Sequence, residues 1–193
     1  MTSYLHFSIS TSLRTTQLII VPDNQTFVKH FYLSPPAPFP EYLVGPALEL
    51  SFLTRVLDLQ KDIVNLEAQL PPSDRSVRLT DICLKPANQN CAIFSVFQYF
   101  QNSYDNLYKN KTDDFGFTIA DYITHINVCK DSFHIFNDTM LNISCYGDFG
   151  GVISPSMVLS NYPSTTDGLS ARALVITIVM ENSNDTEQIA SGK

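Results

Sequence analysis

Two short cysteine loops constrain this chain more than any other feature. Cys83 and Cys91 close the segment CLKPANQNC, Cys129 and Cys145 close CKDSFHIFNDTMLNISC, and these are all four cysteines of the 193 residues. Neither pair has the C-x₂-C spacing that clamps a structural zinc, so two local disulfides are the simpler reading. The alternative is four reduced cysteines in a cytosolic protein. On a chain-entropy basis, loops of these lengths contribute about 2.5 and 3 kcal/mol. The second loop also holds two N-x-[ST] sequons, Asn137 and Asn142. Three more occur at Asn24, Asn110 and Asn184, where chance supplies roughly two in all. Disulfides and N-glycans require the same oxidising lumen, and the two signals are independent.

Charge narrows the partners. The net charge is −7 and no run of Lys or Arg occurs, which argues against nucleic acid and against docking on anionic membranes. No stretch approaches the ~20 apolar residues of a membrane span. YLHFSIS at the N-terminus is too short for a signal peptide and is followed at once by polar residues and Arg14. A lumenal interior without a targeting segment reads as a piece of a larger membrane or secreted protein.

The periodicities predict a mixture of helices and strands. Thr16–Val21 (TQLIIV) is a compact β-branched run closed by Pro22, expected as a buried strand. Pro35, Pro36, Pro38 and Pro40, interleaved with Tyr32, Leu33 and Phe39, predict an extended loop. Leu50–Leu70 is the best helix, with Leu53, Val56, Leu57, Ile63 and Val64 on one stripe and Pro71-Pro72 beyond it. Val77–Cys83 alternates weakly, as a strand would. A second helix is expected after Asn88 or Asn90, with Ile93, Phe97, Phe100, Tyr104 and Leu107 facing the core. Lys109–Gly116 reads as a turn or loop. Ile119, Tyr122, Ile123 and Ile126 predict a third helix leading into Cys129, and Phe149–Gly151 marks a turn. Ala173–Met180 (ALVITIVM) is the strongest strand, apolar enough to lie centrally or to be covered on both faces. Together these predict an α+β sandwich of helices on a mainly antiparallel sheet.

Few chemical motifs emerge. His125 and Cys129 stand at i, i+4, a metal-ligand spacing on a helix, without further ligands in view. A nucleophile built from Cys129 and His134 needs a free thiolate and an orienting group. No G-x-S-x-G, H-E-x-x-H or phosphate-binding glycine loop appears, so no metal or cofactor is expected. Phe115 and Phe117 flank Gly116 in an acidic loop. On residue pattern alone they either tuck into the core or stand out as aromatic anchors. Asp113 and Asp114 either steer a basic partner or form a plain acidic turn.

A set of ordered stretches then carries a resemblance: RTTQLII at Arg14–Ile20, VLDLQ at Val56–Gln60, DIC at Asp81–Cys83 with Cys91, and SVFQYFQNS at Ser95–Ser103. DDF at Asp113–Phe115, ADY at Ala120–Tyr122, His125, FGG at Phe149–Gly151, ALVIT at Ala173–Thr177 and NDTE at Asn184–Glu187 continue it. In this order the chain is similar to the middle lumenal domain of the Niemann-Pick type C cholesterol transporters, polytopic proteins of late endosomes and lysosomes related to Patched. The resemblance implies a ferredoxin-like α+β domain with two disulfides and two protruding loops. It implies that these loops dock the small soluble Niemann-Pick type C sterol carrier. By position the first loop falls on Ser34, Pro35, Pro36 and Phe39, within Ser34–Phe39. The second falls on Asp113, Asp114, Phe115, Gly116, Phe117 and Ile119. Gly116 splits aromatics that are adjacent in the family, Ile119 stands where Tyr is usual, and the first loop is longer and richer in proline. Residues 1–13 lack the family's usual sequence, so 14–193 is expected to be an incomplete middle domain. The family's closing helix and strand, its sterol-binding N-terminal domain and its membrane domain then lie outside the chain. Two other readings are a Patched-like lumenal receptor domain and a small lumenal hydrolase.

Overall fold

The strand run ALVITIVM organises the molecule as its pattern demands. The computed structural model describes residues 2–9, 13–31, 41–70, 75–87, 90–160 and 169–181. In chain order the elements are β1 (Thr2–Ile9), β2 (Leu13–Val21), β3 (Val28–Phe31), β4 (Glu41–Val44), α1 (Leu50–Asn65), β5 (Glu67–Leu70), β6 (Arg75–Arg78) and α2 (Leu79–Ile82). There follow β7 (Ile93–Phe94), a 3₁₀ turn (Val96–Phe100), α3 (Tyr104–Leu107), β8 (Lys111–Thr112), β9 (Thr118–Ala120), α4 (Tyr122–Asp131), α5 (Pro155–Val158) and β10 (Leu174–Glu181). The main sheet has the order β1-β2-β10-β7, antiparallel throughout. Leu174, Ile176 and Ile178 are buried, and so are Thr177, Val179 and Met180. Successive side chains of a strand point to opposite faces, so both faces of β10 are covered, as its sequence predicts. The fold is a mixed α/β one.

Several elements differ from their sequence expectation, each for a physical reason. β2 is longer than predicted and mostly half-buried, with Ile20 alone fully enclosed. Helix α1 does bury Leu53, Val56 and Leu57, with Phe52 and Gln60 beside them. It stops at Asn65 instead of Leu70, because the apolar stripe then has nothing to cover: Leu66 is 64 % exposed. The chain turns into β5, which pairs with β6 through the Glu67–Arg78 ion pair at 3.1 Å. The weak strand Val77–Cys83 resolves into the end of β6 and the single turn α2.

The second predicted helix is the largest correction. Its residues form β7, the 3₁₀ turn and α3, with no helix starting at Asn90; Asn88 lies outside the described residues. Val96, Phe97, Gln98, Tyr99 and Phe100 are all buried, so the segment has no polar face and its aromatic spacing is not amphipathic. Gln101 and Asn102 then take left-handed backbone angles (φ 50° and 56°) that interrupt any helix. The third helix starts later than expected. Ile119 belongs to β9, and Asp121 caps α4 by accepting from the Ile123 N–H while Thr124 Oγ1 accepts from the Asp121 N–H.

Both disulfides form in the expected pairing, Cys83–Cys91 and Cys129–Cys145. The first is pinned to the sheet: Leu84 donates to the Val179 carbonyl at 2.9 Å and Ala92 to the Leu84 carbonyl at 2.8 Å. Replacing Cys83 and Cys91 together by Ala is expected to lower unfolding free energy by about 2.5 kcal/mol. Urea titration checks this, and an unchanged midpoint would show that the sheet contacts alone hold the loop.

Candidate functional site

The sequence KTDDFGFTIA builds a hairpin from β8 and β9 whose tip is closed by one aspartate. Asp113 Oδ1 accepts hydrogen bonds from the Phe115 N–H at 3.0 Å and the Phe117 N–H at 2.9 Å. The Asp113 N–H donates to the Phe117 carbonyl at 2.9 Å, and the Gly116 N–H donates to the Asp113 carbonyl at 3.0 Å. An aspartate that bonds backbone amides ahead of it is an efficient turn former. Asp113 is therefore half-buried and structural, whereas Asp114 is exposed. The closed tip presents Phe115 at 81 % exposure and Phe117 at 42 %. Ile119 is half-buried at the base.

Gly116 has φ +85° with no atom within 4 Å of a notional Cβ. Gly116→Ala therefore meets no clash and only a backbone penalty, about 1 kcal/mol. The expected readout is local: faster amide exchange at Phe115 and Phe117 with little change in global melting. Exchange at the wild-type rate would show the turn to be held without the left-handed residue.

Beneath the hairpin the support is rigid. Ala120 packs in a small buried cluster with Leu141 and Ile143. Helix α4 follows directly, and Cys129–Cys145 fastens it to the segment carrying those residues. His125 of α4 is fully buried, with Nδ1 2.9 Å from Asp138 Oδ2 and Nε2 2.7 Å from the Tyr99 carbonyl oxygen. Asp138 Oδ1 accepts from the Met140 N–H at 2.6 Å, and the Asp138 N–H donates to the Ile143 carbonyl at 2.7 Å. The pair thus holds α4 against the loop that floors the hairpin.

This geometry removes two chemical readings. The i, i+4 spacing does place Cys129 Sγ 3.4 Å from His125 Nε2, with Cys145 close by. Both sulfurs are spent in the disulfide and both ring nitrogens face protein acceptors, so the cluster fits a packed core, not a metal. The Cys129–His134 nucleophile fails likewise, since the sulfur is bonded and His134 is exposed against Phe133. Sequence reasoning missed the His125–Asp138 pair. Asp138 lies within the Asn137 sequon, and no periodicity links it to His125. Also missed was Phe136, 76 % exposed beside Tyr146.

Of the other expected site residues, Ser34, Pro35, Pro36 and Phe39 lie outside the described residues, as does Asn184. Asn24, Asn110, Asn137 and Asn142 are all exposed. No helix among the described residues is long and apolar enough to cross a membrane.

A family profile described as "NPC1, middle luminal domain" matches residues 5–193. "NPC intracellular cholesterol transporter 1" of Sus scrofa is 40 % identical over 183 residues, covering 91 % of this chain and 14 % of that protein. "NPC1-like intracellular cholesterol transporter 1" of Rattus norvegicus is 30 % identical over 183 residues, covering 88 % and 13 %. "NPC intracellular cholesterol transporter 1 homolog 1b" of Drosophila melanogaster is 28 % identical over 184 residues, covering 91 % and 14 %. The chain thus spans about one-seventh of the length of these relatives.

Proposed function

Since the chain belongs to the family of NPC1 middle luminal domains, we propose that it is a non-catalytic docking domain of a cholesterol transporter. It receives the small soluble Niemann-Pick type C sterol carrier on the lumenal side of late endosomes and lysosomes. The carrier engages the Asp113–Ile119 hairpin together with Ser34–Phe39, and sterol passes to the transporter's N-terminal sterol-binding domain beside the membrane domain. The finer topology belongs to the same proposal: the antiparallel sheet and α1 are read as part of a ferredoxin-like sandwich with two protruding loops.

One observation carries this reading. A closed, well-braced hairpin holds Phe115 almost wholly in solvent. Nothing in the hairpin's own stability requires an apolar ring there, whereas a buried aromatic anchor in a partner pocket is the usual centre of an interface. A tip already closed in the free domain also loses little entropy on binding. The test is surface-immobilised, oxidised chain titrated with the sterol carrier at acidic and neutral pH. Saturable binding is expected, and its absence at both would defeat the proposal.

A further inference from the structure

Docking gives no role to the sequon at the hairpin's base. Asn110, Lys111 and Thr112 form an N-x-T triplet, and all three are exposed. Asn110 joins α3 to β8 on the rim of a surface cleft of about 220 Å³, lined also by Leu50, Leu107, Tyr108, Thr118 and Tyr122. Tyr108 is 48 % exposed, and its hydroxyl lies 2.6 Å from Thr54 Oγ1, which fixes the ring at the cleft. Among the described sequons, Asn110 alone lines this cleft.

We infer that Asn110 carries an N-linked glycan that covers the Tyr108 side of the cleft and restrains docking at the hairpin. The inference rests on the docking reading. A stable protein interface buries ~800 Å² on each partner, far more than two phenylalanine rings provide, so a carrier seated on Phe115 must spread down the hairpin's flanks. Phe115 is five residues from Asn110; at ~3.3 Å per extended residue the tip is no more than ~17 Å away. A bulky, hydrated glycan rooted on that flank competes for the same space. The apolar C–H face of its first N-acetylglucosamine has the fixed Tyr108 ring to stack on, with its polar groups left in water.

The test uses the 193-residue chain secreted from a glycosylating eukaryotic host behind a cleavable leader. Peptide mass spectrometry reads Asn110 occupancy, and carrier affinity is compared for wild type, Asn110→Gln, Thr112→Ala and Thr112→Ser. The glycan is expected on wild type and on Thr112→Ser, which keeps the sequon. Asn110→Gln and Thr112→Ala should bind roughly three- to tenfold more tightly, with Thr112→Ser at the wild-type value. An empty Asn110, or equal affinity in all four proteins, overturns the glycan gate and leaves docking intact. No binding by any form sinks docking itself, and the gate falls with it.

Discussion

His125→Ala is expected to destabilise the domain by about 3–5 kcal/mol, because it leaves a cavity where a fully buried ring stood and strands the buried polar atoms that the ring contacts. The Tyr99 carbonyl only accepts, so His125 Nε2 carries a hydrogen, and Nδ1 faces Asp138 across 2.9 Å. Removing the ring leaves the Asp138 side chain with 1 % exposure and, as its remaining partners, the Met140 and Leu141 amides on Oδ1. For a chain of this size, such a loss lowers the melting temperature by roughly 10 °C. His134→Ala, nine residues on and exposed, should leave it unchanged. His125→Ala/Asp138→Ala should cost less than the two single changes added, because the second removes the polar group that the first leaves stranded. A melting temperature for His125→Ala within about 1 °C of wild type would mean that the pair contributes nothing net. The consequence reaches function. Asp138 orders the loop that brings Leu141 and Ile143 under Ala120, so carrier binding should weaken alongside stability.

What the sequence disclosed depended on whether a local pattern had a single structural meaning. Eight consecutive positions from Ala173 to Met180 offered no polar face, and that is the signature of a strand covered on both sides. The cysteine pairs were legible because each is close in sequence and each fails the metal spacing. Helix α1 was legible until Asn65, where the stripe outran the surface available to it. The segment from Ile93 to Leu107 was not, because i, i+3 and i, i+4 aromatics fit an amphipathic helix as well as a fully buried 3₁₀ turn. Left-handed angles at Gln101 and Asn102 separate the two, and nothing in those residue types announces them. The hairpin was intermediate: its position was readable as a loop and an acidic turn was one of two readings for Asp113, but nothing in the residue types marked Asp113 as the clasp that closes the tip. The exposure of Phe115 could not be read from residues that suit a core equally well.

That exposure sets the second large expectation, for Phe115→Ala/Phe117→Ala. Complete burial of a phenylalanine is worth about 1.5–3 kcal/mol. Phe115 has nearly its whole surface to offer, and Phe117, at 42 % exposure, about half. Together they predict a loss of about 2–4 kcal/mol, roughly thirtyfold to a thousandfold in carrier affinity. Phe115→Ala alone should account for the greater part. Because neither ring belongs to the described core, melting should move little, which separates lost contact from lost fold. Asp114→Ala should act differently, slowing association and flattening its salt dependence while dissociation stays close to wild type. Asp113→Ala removes the acceptor of both phenylalanine amides, so it should weaken binding without deleting any contact surface. If the double variant binds as wild type does and melts normally, the carrier does not use this hairpin. If Asp113→Ala alone is harmless while the double variant fails, the rings matter and their preorganisation does not, since an open tip would then find the pocket as readily as a closed one.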